Sequence, residues 1–283
     1  MRIQGLLPWG LRVVGGRNRP INLGRYAVSP GRRLAAYSMD ITENRVGILR
    51  DVAQAVAQRG GDILYLHLQV GEGGKGTIFF IIDVTESTLD FGELTEALNE
   101  IEGVGNVDLI LPVKEGLLID TSNFPAYVGD SRVAIMRDVL LRSAKKELVK
   151  RIGHEATDAL LYNIGFEMGL GAGEDHKKIA RSVGIEDPKD VLELVTVPLF
   201  KTLGYGEAEL RLSEEGGEIR LYRNIECEAA GIVGRTSCSL LRGMWAGVLT
   251  SVLGKEVEVE EVRCTAAGDG YCELKVVPRV QAG

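Results

Sequence analysis

The sequence is poor in the features that mark secreted and membrane-embedded proteins. Only four cysteines occur among 283 residues, and no apolar run is long enough to cross a bilayer. The opening stretch MRIQGLLPWGLRVV is interrupted by Pro8 and Gly10, so it does not follow the pattern of a signal peptide. We therefore expect a cytoplasmic protein that does not associate with membranes. We also expect that its cysteines do not form a disulfide framework.

Positive charge is scarce overall but concentrated at the N-terminus. The formal net charge of −7 disfavours nucleic-acid binding by the chain as a whole. Residues 1–33 nevertheless form a basic arm without an acidic residue, and its arginines are Arg2, Arg12, Arg17, Arg19, Arg25, Arg32 and Arg33. Such an arm has two interpretations. It contacts nucleic acid or an acidic partner, or it is a leader that has no binding role. No base-reading motif accompanies it.

Motifs of nucleotide-dependent and hydrolytic enzymes are also missing. GLGAG at 169–173 follows a predicted helix rather than a strand, so it lacks the context of a dinucleotide-binding loop and predicts a helix end. GEGGKG at 71–76 predicts a hairpin turn and lacks the P-loop spacing. His67, His154 and His176 are scattered, and no nucleophile–base pair is recognisable. These absences disfavour an enzyme.

Residues 34–113 alternate between strand and helix patterns. Ile48, Val52 and Val56 follow helical spacing, and Gly60-Gly61 ends that helix. The order βαββαβ predicts a ferredoxin-like domain. Its predicted strands are 34–42, 62–70, 77–84 and 104–113, and its predicted helices are 48–61 and 90–101.

A second domain is predicted over residues 133–278, after a linker at 114–132. Its longest helix carries an apolar residue at every fourth position, which predicts a buried face made of Leu148, Ile152, Ala156, Leu160, Ile164 and Met168. Two antiparallel hairpins and a helix follow, so the overall fold class is α+β. The hairpin strands are predicted at 207–213, 218–224, 256–264 and 272–278, and the helix at 236–253.

Three of the four cysteines are predicted to converge. Cys264 and Cys272 flank a hairpin turn in EVRCTAAGDGYC, and Cys238 lies in the first turn of a helix, where the thiol pKa is lowered. Glu261 lies three residues before Cys264 and needs a bulge to face the same way. Cys238, Glu261, Cys264 and Cys272 are thus candidate ligands of a structural, tetrahedral zinc ion. The alternatives are buried thiols or a Cys264–Cys272 disulfide.

The fourth cysteine, Cys227, follows a predicted strand in NIECEAA. Because no partner is recognisable for it, we expect a buried core thiol.

Residues 120–278 resemble the 4-vinyl reductase domain family. The resemblance rests on Glu228-Ala229, on Cys238 followed by Gly243, and on EVRCTAAGDGYCEL with Gly268-Asp269 in its turn. It implies an α/β domain like that of the vesicle-trafficking (TRAPP) complex subunits, often dimeric, with a pocket for a small apolar ligand. It also implies zinc at the Cys, Glu, Cys and Cys positions named above.

Residues 34–113 resemble an ACT domain through TENRVGILRDVAQAVAQRGGDI. The family's Asp-x-Pro-Gly loop appears here without the proline. The resemblance implies amino-acid binding at this loop, where N–H groups at a helix N-terminus hold a carboxylate, or pairing of two copies. A loop that merely connects strand to helix is the other interpretation. The candidate residues are Asn44, Arg45, Val46, Gly47 and Ile48.

These patterns together predict a homodimeric regulatory protein that senses small molecules. An amino acid is expected at the ACT-like domain, and a hydrophobic ligand and zinc at the second domain. A link to transcription would need a partner protein or the basic arm. The competing hypotheses are a reductase-like enzyme acting on a tetrapyrrole-type substrate and a structural adaptor like the trafficking-complex subunits.

Overall fold

The computed structural model describes residues 20–213 and 216–278, so residues 1–19 of the predicted basic arm lie outside the described residues. The chain separates into two compact units, Met1–Val133 and Ala134–Gly283. None of the helices in the described ranges combines the length and hydropathy that a bilayer crossing needs.

Unit 1 contains an antiparallel sheet with two helices on one face. Its four strands lie in the order β3-β4-β2-β5, which is the ferredoxin-like arrangement that the sequence predicts. The elements are β1 Tyr26–Val28, β2 Leu34–Ile41, α1 Ile48–Ala57, β3 Asp62–Val70, β4 Gly76–Asp83, α2 Phe91–Asn99, β5 Val104–Ile110, β6 Leu117–Ile119, β7 Ala126–Val128 and β8 Ser131–Val133.

The two faces of this sheet are covered by different elements. On one face, Val52 of α1 and Leu94 of α2 pack with Tyr37 and Phe80 of the central strands. On the other face, Leu118 packs on the sheet from a short ribbon in which β1 pairs with β6. The segments before and after the βαββαβ core are therefore paired with each other.

Three of the seven N-terminal arginines are described, and all three contact unit 1. Arg25 pairs with Asp120 at 2.8 Å and Arg32 pairs with Asp83. Arg33 donates to two backbone carbonyl groups at 3.1 and 2.9 Å. These charges are thus partly neutralised within the unit.

Unit 2 packs long helices against a second antiparallel sheet, whose strand order is β11-β12-β10-β9. The predicted α+β class and both predicted hairpins are confirmed. The elements are α3 Asp138–Ser182, α4 Pro188–Asp190, a π-helical turn Val191–Thr196, α5 Val197–Thr202, β9 Glu207–Ser213, β10 Gly216–Tyr222, α6 Ile225–Ala230, α7 Ser239–Leu253, β11 Val257–Arg263 and β12 Cys272–Pro278.

The prediction that Gly169–Gly173 ends the long helix is wrong. Helix α3 runs through these glycines, and its only non-helical residue is Gly153, at φ 79° and ψ 173°. A Cβ atom on Gly169 would lie 2.1 Å from the Met244 carbonyl oxygen of α7. The glycine is present because the two helix backbones approach closely there.

Both helices contribute two glycines to this close crossing. Gly165 and Gly169 of α3 face backbone carbonyl groups of α7, and Gly243 and Gly247 of α7 face those of α3. Each pair is spaced by four residues, which places both members on one helix face.

The predicted buried stripe of α3 is also wrong. Four of its members, Ile152, Leu160, Ile164 and Met168, are 41–46% exposed. The buried face lies one residue further round and includes Leu161, together with the glycines of the crossing. Hydropathy does not reveal this face because glycine carries no apolar side chain.

Candidate metal centre and ligand cavity

All four cysteines of unit 2 meet in one buried cluster. Cys227 lies in α6, Cys238 caps the N-terminus of α7, Cys264 follows β11 and Cys272 begins β12. Each is at most 3% exposed, and all are free thiols. The cluster therefore joins two helices to one hairpin.

The turn between Cys264 and Cys272 is shaped by its own residues. Gly268 adopts φ 109°, which disfavours any residue with a Cβ. The Asp269 carboxylate accepts the Cys264 N–H at 2.8 Å. The Thr265 N–H donates to the Cys272 sulfur at 3.3 Å. These contacts explain why the motif needs Gly-Asp between its cysteines.

Glu261 reaches the cluster through the irregularity that the sequence requires. The pairing of β11 with β12 shifts register between Glu261 and Arg263, as expected for a bulge. Glu261 Oε2 accepts the Cys238 N–H at 3.2 Å. Its Oε1 is buried and has no hydrogen-bond partner among the described residues. An unpartnered carboxylate oxygen beside four thiols is suited to a cation.

Cys227 is buried, as predicted, but it lies in a helix rather than at the end of a strand, and its sulfur belongs to the cluster. Its sulfur lies 2.8 Å from that of Cys238 and 3.5 Å from that of Cys264. The residue lies in a short helix capped by Asn224, whose Oδ1 accepts the Cys227 N–H at 2.9 Å. An asparagine followed by acidic residues is a helix-start signal that identifies this segment.

Contact among the sulfurs changes the pKa of these thiols in opposite directions. Hydrogen bonds from neighbouring thiols, first that of Cys227, lower the pKa of Cys272. Hydrogen bonds with the other sulfurs, again first that of Cys227, raise the pKa of Cys238 and of Cys264, and burial adds to both. For Cys264 the contact with Cys238 acts in the opposite direction. Contact with the other sulfurs and burial thus shift the pKa of Cys238 upward, in the opposite direction to the shift expected from the helix N-terminus.

The donor set suits a divalent metal ion that binds sulfur. Cys227, Cys238, Glu261, Cys264 and Cys272 each offer one ligand atom within 4.8 Å of all the others. Four of these atoms are sulfurs, which favour zinc and similar ions over magnesium or calcium. The structure thus brings together all four sequence-predicted ligands and adds Cys227.

A buried ion pair lies beside the cluster. Lys145 Nζ of α3 donates to Glu226 Oε1 at 2.7 Å and to the Ser237 carbonyl oxygen at 2.6 Å. The same carboxylate accepts N–H groups of Leu240 and Leu241 at the start of α7. The pair fixes α3, α6 and α7 to one another, and the sequence analysis missed it because its members are 81 residues apart.

A cavity of about 100 Å³ lies elsewhere in unit 2. Its wall is mostly aromatic and sulfur-containing, with a few polar groups. Trp245 is 1% exposed, and its Nε1 donor has no hydrogen-bond partner among the described residues. The lining residues are Met168, Ala172, His176, Thr196, Phe200, Leu203, Tyr205, Met244, Trp245 and Val248.

A proline shapes one side of this cavity. Pro198 has no N–H group and cannot continue the regular α-helical bonding of the preceding turn. The segment Val191–Thr196 is a π-helical turn, and Thr196 at its end is buried at the cavity wall. The Thr196 hydroxyl lies 3.0 Å from His176 Nδ1. Such π turns are common at functional sites.

His176 makes unit 2 sensitive to acid. Burial lowers the pKa of His176, and Asp175 only partly opposes this. A lowered folded-state pKa means that the neutral form is favoured in the folded protein. The stability contribution is therefore present above the unfolded-state pKa of about 6.5 and is lost as the pH falls through the folded-state value.

We predict that His176→Gln weakens the acid dependence of stability. The free energy of unfolding of the wild type minus that of the variant should be constant above about pH 6.5 and fall below it, by at most about 1.4 kcal/mol per pH unit. Urea unfolding at several pH values measures this difference. His154→Gln, exposed on the same helix, is the control. An acid dependence that is equal in His176→Gln and wild type would contradict the assignment.

In the loop of unit 1 that is predicted to bind an amino acid, some backbone N–H groups are already paired within the domain. The Asn44 N–H donates to the Gly74 carbonyl oxygen at 2.9 Å, and the Ile48 N–H to that of Arg45 at 3.3 Å. Gly47 caps α1 with φ 98°. The sharp turn that glycine permits is thus in place without the family's proline.

The side chains of this loop have different environments. Val46 is fully exposed, whereas Ile48 is 3% exposed and anchors α1 in the core. The Arg45 guanidinium lies 2.7 Å from Asp51, and this contact is the main cause of the lowered Asp51 pKa. A ligand carboxylate at this loop would have to share Arg45 with Asp51.

Known proteins are similar to separate parts of the chain. An ACT domain-containing protein of Carboxydothermus hydrogenoformans is 32% identical over 68 residues, which are 24% of this chain and 47% of the relative. An uncharacterized protein of Methanocaldococcus jannaschii is 32% identical over 120 residues, 42% of this chain and 64% of the relative. The chain thus spans less than two thirds of either relative.

Two family models match the second part of the sequence. Residues 218–278, which include all four cysteines and Glu261, match the 4-vinyl reductase domain. The chain combines an ACT domain with a 4-vinyl reductase domain. Residues 114–215 match the family described as activator of aromatic catabolism. This second match supports a regulatory role in sensing small molecules.

Solved structures share parts of this fold at low identity. The phenol-responsive sensory domain of the transcription activator PoxR is 21% identical, with a TM-score of 0.48, over 54% of this chain and 79% of that one. A vinyl-4-reductase family protein of Methanocaldococcus jannaschii is 21% identical, with a TM-score of 0.37, over 54% of this chain and 86% of that one.

Proposed function

We propose that this protein is a regulatory sensor whose 4-vinyl reductase domain binds a small aromatic ligand in its cavity. The observation that carries the proposal is a cavity whose mainly apolar wall also holds the paired side chains of His176 and Thr196. A ligand hydroxyl group would bond to this pair, and Phe200, Tyr205 and Trp245 offer aromatic contact to a ring. The match of residues 114–215 to activators of aromatic catabolism supports the ligand class.

The volume of the cavity suits a ligand with a single ring. Its volume of about 100 Å³ is below the roughly 150 Å³ of an engineered cavity that binds benzene. Met168 and Met244 belong to its wall, and methionine side chains adjust readily to a guest. A ring with one hydroxyl group is the ligand that this wall suits best.

We predict that Ala172→Leu weakens binding of phenol at least about tenfold, because the larger side chain occupies the cavity. Isothermal titration of the full chain with phenol measures the change. Ala159→Leu, exposed on the same helix, is the control and should bind like wild type. Equal binding by both variants would place phenol elsewhere, and absence of binding by the wild type would contradict the proposed ligand class.

The thiol cluster supports a zinc ion with a structural role in the 4-vinyl reductase domain. The five donors belong to α6, α7 and the β11–β12 hairpin, so a bound ion would fasten these elements together. Such closed sites stabilise a fold and offer no open position for catalysis. Zinc is preferred among divalent ions because the set is rich in sulfur.

The ACT domain is proposed to bind an amino acid at residues 44–48. The exposed position of Val46 and the turn at Gly47 leave the start of α1 accessible, and a helix N-terminus favours a carboxylate. Titration of free amino acids into the full chain tests this role. Absence of binding heat for every one of them would leave the loop a connector in a domain that serves pairing.

The exposed stripe of α3 supports a homodimer. Leu160, Ile164 and Met168 follow the non-helical Gly153 at a spacing of four residues and place partly exposed apolar side chains on one face of α3, and an exposed apolar face is typical of an interaction site. A second copy would cover it with an identical stripe. Light scattering of the full chain over a range of concentrations tests this association, and a monomer throughout would exclude it.

A further inference from the structure

We infer that Cys227 is a metal ligand of the 4-vinyl reductase domain and that four sulfurs, rather than three sulfurs and Glu261, hold the ion. This inference rests on the proposed zinc site and changes its composition. The structure presents five donors, whereas a tetrahedral ion takes four. One of the five must therefore stay unbound to the ion.

The spacing of the sulfurs is close to that around a single tetrahedral ion. A zinc–sulfur bond of about 2.3 Å gives a sulfur–sulfur distance of about 3.8 Å along a tetrahedron edge. Cys227 lies 3.5 Å from Cys264 and 3.6 Å from Cys272, and Cys264 lies 4.0 Å from Cys272. Cys238 lies 3.4 Å from Cys272, and its 2.8 Å distance to Cys227 must lengthen when an ion enters. An iron–sulfur cluster places thiolates on different iron atoms and would separate them further.

Cys227 cannot easily withdraw from this group. It is 3% exposed in the core of unit 2, and its N–H is held by Asn224. The same asparagine donates from Nδ2 to the Cys272 sulfur at 3.2 Å. Asn224 thus links the Cys227 backbone to the Cys272 sulfur, and residues that support metal ligands commonly make such contacts.

Glu261 has a different task in this arrangement. Its Oε2 accepts the Cys238 N–H at 3.2 Å, and this contact orients the start of α7. Its Oε1 has no hydrogen-bond partner among the described residues and is the oxygen that competes with the sulfurs for the ion. A fifth anionic donor would add negative charge to an ion already bound by four thiolates, in a site shielded from water. We therefore assign Glu261 as a positioning residue that holds Cys238 toward the ion.

Two methods count the sulfurs directly. X-ray absorption of the zinc-loaded full chain should show four sulfur ligands at about 2.3 Å and no oxygen ligand at about 2.0–2.2 Å. In the cobalt-substituted protein, the thiolate-to-metal absorption should fall by about a quarter in Cys227→Ser, because one of four thiolates is removed. In Glu261→Gln the thiolate-to-metal absorption per bound cobalt ion should keep its wild-type intensity, because all four thiolates remain.

The possible outcomes distinguish an error in the role of Cys227 from the absence of a metal site. Three sulfurs and one oxygen in the wild type, or a cobalt spectrum changed by Glu261→Gln and not by Cys227→Ser, would overturn the role of Cys227 and leave the site intact. Failure of the reduced wild-type protein to bind zinc or cobalt would overturn both the metal site and the role of Cys227. The absorption measurement on wild type needs no variant, so a folding defect in Cys227→Ser does not obscure the answer.

Discussion

Gly169→Ala is expected to destabilise the 4-vinyl reductase domain by about 3 kcal/mol or more, whereas Gly171→Ala, two positions along the same helix, is expected to stabilise it. In a helix interior, replacing glycine by alanine ordinarily stabilises by about 0.5–1 kcal/mol. That gain is available at Gly171, where an added Cβ meets no atom within 4 Å. At Gly169 the Cβ would lie 2.1 Å from the Met244 carbonyl oxygen.

The size of the Gly169 effect follows from what the new methyl group meets. It meets backbone of α7, which cannot turn aside as a flexible side chain can. The two helices must therefore separate. The free-energy cost of this separation adds to the roughly 1–3 kcal/mol that is typical of overpacking. Gly243 and Gly247 on the facing helix would then lose their contacts with α3 as well.

Urea unfolding followed by circular dichroism measures both variants. Opposite signs of the change in unfolding free energy confirm the close crossing of α3 and α7. Equal stabilisation by the two substitutions would contradict it, since the helices would then be far enough apart to accept a methyl group at either position.

Cys264→Ser is expected to cost the 4-vinyl reductase domain more than about 4 kcal/mol and to abolish metal binding. Loss of a structural metal is one of the few single changes with so large an effect. Cys264 is fully buried, and its sulfur lies 4.0 Å from that of Cys272. The serine hydroxyl is a poor replacement for a thiolate at a sulfur-rich site.

Thermal unfolding of wild type and variant, each with and without a strong zinc chelator, measures this contribution. The chelator should lower the melting temperature of wild type and leave that of Cys264→Ser nearly unchanged. Gly270→Ala lies in the same turn, where an added Cβ meets open space, and should behave like wild type. A chelator effect of equal size in Cys264→Ser would mean that the metal acts elsewhere.

The helices and strands of the ACT domain were predicted closely from its sequence pattern. Alternating strands and a helix with Ile48, Val52 and Val56 on one face predict elements that all appear, because in this domain the buried positions are the apolar ones. The β1–β6 ribbon was not predicted, since strands of three residues carry too few positions for a periodic pattern.

The 4-vinyl reductase domain was predicted less completely, for three physical reasons. Its helix crossing uses glycines such as Gly169, which hydropathy does not score as buried. Its cavity depends on a π turn before Pro198, and no periodic pattern marks such a turn. The metal donor that was not predicted, Cys227, lies on a six-residue helix, which is too short for a periodic pattern.

The metal content of the purified full chain, prepared with reducing agent and without added metal, tests the central claim most directly. We predict about one zinc ion per chain by mass spectrometry, with the four thiols protected from a thiol reagent until a chelator is added. A chain that carries no metal and whose folded state and melting temperature do not respond to zinc would contradict a metal-fastened 4-vinyl reductase domain.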